Sequence, residues 1–572
     1  MNTQLQENHY DVAIVGGGPA GSTAGTFLRK YNPNLRVLIL EKEKFPRDHV
    51  GESQLPAISD ILVEMGCWDK VEAANFPIKI GATYRWGKSS ELWDFDFVSP
   101  SEFKNEPRPA QYRGQRILTA FQVDRAIYDD ILLRHAEQLG CQVQEETAVA
   151  KVDVEGDRIN VLRLNNGQEI TARYYIDASG HIGVLRRALG IKSDIPTKLQ
   201  NIAIWDYWTN AEWADTIGVG GTRVQVMSLA HGWIWFIPLG PTRTSIGFIC
   251  PAEHYKKLKK RPEEIYQEAL QSEPRIGELI ANATSRGNIE TTKDWSFLSQ
   301  RMVGENWFMA GEAAGFADPI LAAGMTLTHV SAREAAYTIL ELERGKSNPT
   351  WLKTHYEDNQ RRRIQQHIRF ADYWYAANGQ FTDLQKHCKE IAKDAGLRLS
   401  PEEAFRWLAQ GGFTNDNLQE TAIGGFDLAS MKHVLQRFAK KKSAWEISGY
   451  NVFQLDLKGA KEEYLPLYVQ GHIAQVKCYL RGEHQLPITG IYGVIFRVLN
   501  RASEMDLIVK LLKEAFSVNV PPEHIPLAMD QAIQCLEVMV SEGWVKAQVN
   551  RKKTKLQISI PDEGKLIHTH HG

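Results

Sequence analysis

The sequence predicts an α/β fold built on a dinucleotide-binding turn, and three observations predict it. The apolar run Asp11-Val12-Ala13-Ile14-Val15 leads into Gly16-Gly17-Gly18-Pro19-Ala20-Gly21 and then into small residues with helical spacing. Further apolar runs end on acids, at Glu41, at Asp177 and, after Trp307-Phe308-Met309-Ala310-Gly311, at Glu312. From Asn201 to Cys250 the chain alternates as strands do and carries Trp205, Tyr207, Trp208, Trp213, Trp233 and Trp235. Strands feeding helices through glycine turns argue for a parallel sheet, and the aromatic strands for a second one.

Gly16, Gly18 and Gly21 fill the three glycine places of a Rossmann-type turn. One makes the tight turn, one lets backbone approach a pyrophosphate, and one lets the helix pack on its strand. The helix N-terminus then faces the phosphates. Glu41 ends the run Arg36–Leu40 about 20 residues beyond, where an acid holds a ribose hydroxyl and disfavours a 2′-phosphate. That much fits NAD and FAD alike.

Lys44 to Pro56 follows as a loop rich in Pro, Gly and charge, from which Arg47 can reach a phosphate. The segment 74–86 reads as a turn entering a strand, with Lys79 two places before Gly81 among apolar neighbours. A lysine there is either desolvated and chemically useful or a strand-edge residue that snorkels to water. Leu118 to Gly140 has helical spacing, with Arg125 near its start, and strands run over 141–149 and 158–164 before Tyr174–Gly180 brings the second acid turn. The third, at Glu312, precedes a helix from Thr326 to Arg344. Three acid turns suit an elongated cofactor with a polyol linker and so favour FAD, while the aromatic sheet suits a flat apolar substrate.

A chain of 572 residues holds two or more domains. Ser347-Asn348-Pro349 reads as the break between 1–345 and a mostly helical 346–572. Helical patterns cover 356–377, 401–410, 507–516 and 525–542, and strand patterns cover 544–549 and 555–560, which together predict a winged-helix-like end. A formal net charge of −2 gives no electrostatic footprint for nucleic acid, and Arg361-Arg362-Arg363 reads as a solvated helix face. The six cysteines form no C-x-x-C pair, which predicts free thiols, no metal site and a reducing compartment. No apolar run nears the ~18 residues that span a bilayer and no signal-peptide pattern opens the chain, so a cytoplasmic protein is expected.

Trp233-Ile234-Trp235-Phe236-Ile237-Pro238 fills every fixed place of a W-x-W-x-I-P motif. With the glycine turn, the 44–56 loop and Lys79-Ile80-Gly81-Ala82, this stretch resembles the flavin-dependent halogenases over about the first 345 residues. The resemblance implies the core fold of the flavin hydroxylases. It assigns Lys79 as the catalytic lysine, and Gly16, Gly18, Ala20, Gly21, Glu41, Arg47, Arg125, Asp177 and Glu312 to FAD. It places the halide at Ala323 and Gly324, and it sets Trp233, Trp235, Ile237 and Pro238 near the flavin, where the tryptophans keep substrate away from it.

The resemblance also implies the chemistry. A separate flavin reductase supplies FAD as FADH2, O2 and chloride or bromide yield hypohalous acid, and Lys79 delivers it, as an ammonium hydrogen-bond donor or as a haloamine. No metal takes part. Two departures stand out: Gly311-Glu312 replaces the family's Gly-Asp, and Ala322-Ala323-Gly324 replaces its Ser/Thr-Gly halide turn. Amide groups alone can hold an anion, so alanine suffices there. Leu321 replaces the glutamate of the tryptophan-specific branch, which directs the reading to an electron-rich phenol or pyrrole, as a free small molecule or bound to a carrier protein. Asp294, in Lys293-Asp294-Trp295-Ser296-Phe297, resembles a family Asp-Tyr-Ser-Tyr segment. The C-terminal region is expected to cover the substrate opening, with Tyr373, Trp374 and Tyr375 toward the pocket. A flavin-dependent monooxygenase or dehydrogenase on the same scaffold is the alternative.

Overall fold

The first apolar run forms the strand His9–Val15, buried from Val12 onward, as a parallel strand covered on both faces must be. In the computed structural model, which describes residues 8–394, 428–439, 445–482, 484–522, 525–553 and 567–569, it lies at the centre of a parallel arrangement. Val37–Leu40 flanks it on one side and Glu169–Asp177 on the other. Gln142–Gln144 continues the first side, and Trp307–Met309 adds to Glu169–Asp177. All of these run the same way, so their carboxyl ends deliver the turns at Gly16, Glu41, Asp177 and Gly311 to one edge of the sheet, the place where such sheets bind ligands. The helices Pro19–Tyr31 and Gly324–Arg344 pack on each other.

The aromatic stretch forms the second sheet. Gln200–Thr209, Thr244–Pro251, Gly232–Pro238 and Gly221–Leu229 follow one another antiparallel. Gly221–Leu229 then pairs in parallel with Ile78–Arg85, which pairs antiparallel with Trp93–Asp96 and with Ala120–Phe121. One face of this sheet presents Ile204, Met227, Ile234, Phe236 and Phe248 to Ile265 and Tyr266 of the helix Pro262–Gln271. The other carries Asn201, Tyr207, Trp233 and Trp235.

Several boundaries differ from the sequence reading, among them the strand expected over 141–149, which forms only as Gln142–Gln144 before Val149–Glu155 begins. The helix expected over 118–140 begins at Arg125, because Asp124 caps it through Ala126 N at 3.0 Å and Ala120–Phe121 is committed to the second sheet. The helix expected from Thr326 begins at Gly324. The chain separates into 1–397 with 568–572 and 398–567, whereas a break was expected at 345. Gly345 does end a helix, with φ +64°. However, Asn348 caps the next one, Pro349–Ala376, and that helix belongs to the first unit: Tyr356 donates to Met309 O at 2.6 Å, and Ile364 and Ile368 pack with Leu298 and Ala313.

The second unit has a core of Trp445, Phe453, Ile495, Phe516, Leu536 and Trp544, built on the helices Gly490–Leu499, Met505–Asn519 and Ile525–Ser541. It also contains an antiparallel sheet of Lys461–Val469, His472–Arg481 and His484–Pro487 where the reading expected mostly helix. Val545–Gln548 pairs with Val452–Leu455; its expected hairpin partner over 555–560 and the expected helix over 401–410 lie outside the described residues. All six cysteines are free and buried. Among the described residues no helix is long and apolar enough to cross a membrane, and no cluster of His, Cys, Asp and Glu can hold a metal.

Candidate active site

The glycine turn shows which glycines the chain itself requires. A Cβ on Gly16, whose φ is +110°, would lie 2.3 Å from Ala178 O, and one on Gly21 would lie 1.8 Å from Gly16 O. Those two glycines allow the turn to close on the second acid strand and on its own helix. At Gly18 the nearest atom to a Cβ is Arg47 Nη2 at 3.4 Å. Packing therefore does not demand a glycine at Gly18, and the opening it leaves lies between a helix N-terminus and a guanidinium, which fits a pyrophosphate.

The other expected cofactor residues gather around this turn in different ways. Arg47 bonds Asp129 at 3.3 Å and Glu43 at 3.0 Å. Arg125 makes a bidentate pair with Asp129 at 2.7 and 2.8 Å and donates to Val50 O and Gly51 O. Asp129, which the sequence reading passed over, thus holds both arginines; its i,i+4 spacing from Arg125 was the available signal. Glu41 accepts from Gly17 N at 2.7 Å and Glu43 N at 2.9 Å, so it fixes the turn while keeping acceptor capacity for a hydroxyl. Asp177 is fully buried and its carboxylate is occupied by Ser179 N and Oγ, Leu185 N and Arg186 N. It builds the second turn and has no acceptor to spare. Glu312 is partly exposed on the turn Gly311–Ala313, and its Oε2 lies 3.9 Å from where a Gly180 Cβ would stand. Burial raises its pKa, tempered by the charges of His181 and Arg125. Ala20 admits this third turn closely, since a Cβ on Gly311 would lie 3.2 Å from the Ala20 Cβ.

Lys79 lies on the second sheet. It is 3% exposed, and its Nζ donates to Gln54 O at 2.9 Å and sits 5.5 Å from the centre of the Phe97 ring. Among the described residues no carboxylate stands within ion-pair distance of it, and burial pushes its pKa down to about 7. Its direction is set by a register shift: Lys79 stands opposite Thr222, but Gly81 stands opposite Arg223, so Ile80 is an extra residue. Thr222 shares a face with Val224 and Val226 by the two-residue period, and Val226 stands opposite Trp235. The bulge therefore turns Lys79 to the face of Trp235. Gln54, its partner, belongs to the same loop as Arg47, so one loop reaches both the glycine turn and the lysine.

The tryptophans of the W-x-W-x-I-P stretch are buried with their ring centres 6.2 Å apart. Trp235 Nε1 donates to Ser245 Oγ at 3.1 Å, and its ring lies over Gly247, where a Cβ would be 2.1 Å from it. Ile237 stands opposite Ser245 and Pro238 opposite Thr244, where proline at the strand end sacrifices little pairing. Trp233 Nε1 donates to Tyr375 OH at 2.7 Å, and Tyr375 OH reaches Asp318 Oδ1 at 3.3 Å. Trp374 packs with Tyr84, Trp86 and Trp93. Trp374 and Tyr375 thus come from Pro349–Ala376, within the first unit. Burial raises the pKa of Asp318 to about 7.

The expected halide turn is a one-turn helix Pro319–Leu321, then Ala322 at φ +55°, then the N-terminus of Gly324–Arg344 with Ala323 as its cap. First-turn amides of such a helix lack intrahelical acceptors and suit an anion. Thr326 Oγ1, in this turn, is buried without a hydrogen-bond partner among the described residues, so a hydroxyl is present two residues past Gly324. Asp294 stands opposite Asn201 in register, and its side chain lies outside the described residues. His329 links three helices through Thr23 Oγ1 at 2.8 Å and Tyr128 OH at 2.9 Å. Burial lowers its pKa to about 3, which keeps it neutral.

A family model described as the FAD binding domain matches residues 9–371. The 1H-pyrrole-2-carbonyl-(peptidyl-carrier protein) chlorinase of Pseudomonas fluorescens is 31% identical over 392 residues, covering 66% of this chain and 86% of that protein. The tryptophan 2-halogenase of Chondromyces crocatus is 32% identical over 343 residues, covering 59% of this chain and 62% of its own. The crystal structure of CmlS, a flavin-dependent halogenase, superposes with a TM-score of 0.69 over 96% of this chain and 98% of its own, at 22% identity, a likeness of fold.

Proposed function

This chain belongs to the flavin-dependent halogenases, and on that premise we propose that it carries an oxidised halide from FAD to Lys79 and onto an electron-rich substrate in secondary metabolism. The turn Gly16, Gly18, Ala20 and Gly21, with Arg47 beside Gly18, receives the pyrophosphate. Glu41 accepts a ribose hydroxyl, Arg125 orders the 50–51 backbone, and Glu312 faces the polyol linker. Reduced FAD, furnished by a separate flavin reductase, supplies with O2 the oxidising power that turns chloride or bromide into hypohalous acid. The amides at Ala323 and Gly324 hold the halide.

The observation that carries this reading is Lys79 itself. A buried amine with a backbone carbonyl as its hydrogen-bond partner, on the face of Trp235, remains a free donor toward a small electrophile. With a pKa near 7 it can donate as ammonium or react as amine, and its fixed position selects the carbon that is halogenated. Trp233 and Trp235 fill the space through which a larger substrate would otherwise approach the flavin. For substrate, the likeness to a chlorinase that acts on a carrier-bound pyrrole supports a pyrrole or phenol held by a carrier protein, and Leu321 leaves no carboxylate at the position used by the tryptophan branch.

The test is product analysis. Full-length protein with FAD, a flavin reductase, O2 and bromide is offered pyrrolyl-loaded and tyrosyl-loaded carrier protein and free phenols. A brominated product is expected; oxygenated products alone across the panel would favour the monooxygenase alternative.

A further inference from the structure

The direction of Lys79 depends on one extra residue in its strand, and the structure shows what holds that residue in place. Gly81, immediately after the bulge, has Arg223 as its register partner on one side and Asp96 on the other. The two side chains meet across it: Arg223 Nε lies 2.6 Å from Asp96 Oδ1 and Nη2 lies 3.0 Å from Oδ2. Both are buried, at 4% and 0% exposure. A Cβ on Gly81 would lie 2.2 Å from Phe95 O and 2.6 Å from Asp96 Oδ1, so the pair closes over the strand only because this residue is glycine. The guanidinium is further held by Asp215 at 3.3 Å and Asp94 at 3.6 Å, and Asp94 accepts from Thr83 Oγ1 at 2.6 Å.

Side-chain direction in a strand alternates with a period of two, so a slip of one residue sends every side chain to the other face. Continuing the register of Ala82 opposite Val224 back without the bulge would set Lys79 opposite Gly221. It would then point where Ile78 now points, toward the apolar cluster of Val98 and Phe103. Bulges re-aim side chains in this manner next to active sites. A bidentate ion pair bridging Gly221–Leu229 and Trp93–Asp96 across the strand between them fixes the two-against-one pairing at that point.

We propose that Asp96 and Arg223 are positioning residues for the delivery step: their ion pair over Gly81 holds the bulge that turns Lys79 to the face of Trp235. The proposal rests on the halogenase reading of Lys79. It separates two steps, since in that reading hypohalous acid is formed at the flavin and delivered at the lysine. Loosening the pair therefore leaves halide oxidation intact and lowers delivery.

The test uses full-length Arg223→Met and Asp96→Asn beside Lys79→Ala, each supplied with FAD, a flavin reductase, O2 and bromide. Three quantities are read: FAD affinity, hypobromite captured by a soluble 1,3-diketone, and brominated substrate. Arg223→Met is expected to keep FAD affinity and captured hypobromite within twofold of the parent while brominated substrate falls at least tenfold; Asp96→Asn, which keeps the shape and weakens the charge, gives a smaller fall in the same direction. Loss of hypobromite together with product would place the pair at the flavin and overturn the proposal, as would the parent's partition in both variants while Lys79→Ala loses product. If Arg223→Met fails to fold, Asp96→Asn alone decides. Retained product in Lys79→Ala would instead refute the reading on which the proposal rests.

Discussion

Two buried lysines, one in each unit, have opposite surroundings. Lys432 Nζ, 2% exposed, lies 3.0 Å from Glu537 Oε1, and Glu537 also accepts from Glu446 N and Ile447 N. Lys79 is as deeply buried, with a backbone carbonyl as its hydrogen-bond partner. The first satisfies the usual requirement that a buried charge be paired. The second leaves its desolvation uncompensated, and that residual cost is what makes an amine available near neutral pH.

The largest effect that would break this comparison is expected at Lys432. Lys432→Met leaves Glu537 buried without its cation and should cost about 3–5 kcal/mol in chemical denaturation; a neutral result would remove the contrast. Lys79→Met should act in the opposite sense. Its folded pKa of about 7 lies below the ordinary 10.5, so between those values the unfolded chain binds a proton that the folded chain does not. The parent's stability therefore rises with pH in that window, and the burial cost is fully present below pH 7. Lys79→Met should be more stable than the parent at pH 6, and this advantage should shrink by about 2–3 kcal/mol by pH 9. A pH-independent difference would show that Lys79 is paired after all.

The same contrast between residues required by packing and residues that packing leaves open can be sharpened at the glycine turn. Gly21→Ala sets a Cβ against Gly16 O and should destabilise the protein by about 3 kcal/mol. Gly18→Ala should change unfolding of the FAD-free protein by less than about 0.5 kcal/mol yet weaken FAD binding measured by flavin fluorescence. Equal effects at both positions would mean that Gly18 serves packing as Gly21 does.

The sequence disclosed features that are local and missed those that depend on distant pairing. The glycine turn and its three acids were legible because strand, turn and helix are contiguous, and Lys79 was legible as a lysine on a strand. Its direction was not, because the bulge exists only against Thr222 and Arg223, far along the chain. Nor was the bond from Tyr375 to Trp233, which joins a helix to a strand 142 residues apart. Asp177 is legible as the acid that ends an apolar strand before a turn, but only the structure shows its carboxylate consumed by four neighbouring donors. The sheet over 461–487 was missed because Lys461 to Tyr464 are exposed and lack the apolar alternation that reveals a half-buried strand.

In the proposed chemistry, oxidised halide passes through Lys79 to the substrate. The most direct measurement compares brominated substrate with trapped hypobromite in the parent and in Lys79→Ala, both shown to bind FAD. Brominated substrate is expected from the parent, and from Lys79→Ala undiminished hypobromite with substrate bromination lost. Bromination of substrate at the parent's rate by Lys79→Ala would contradict this route.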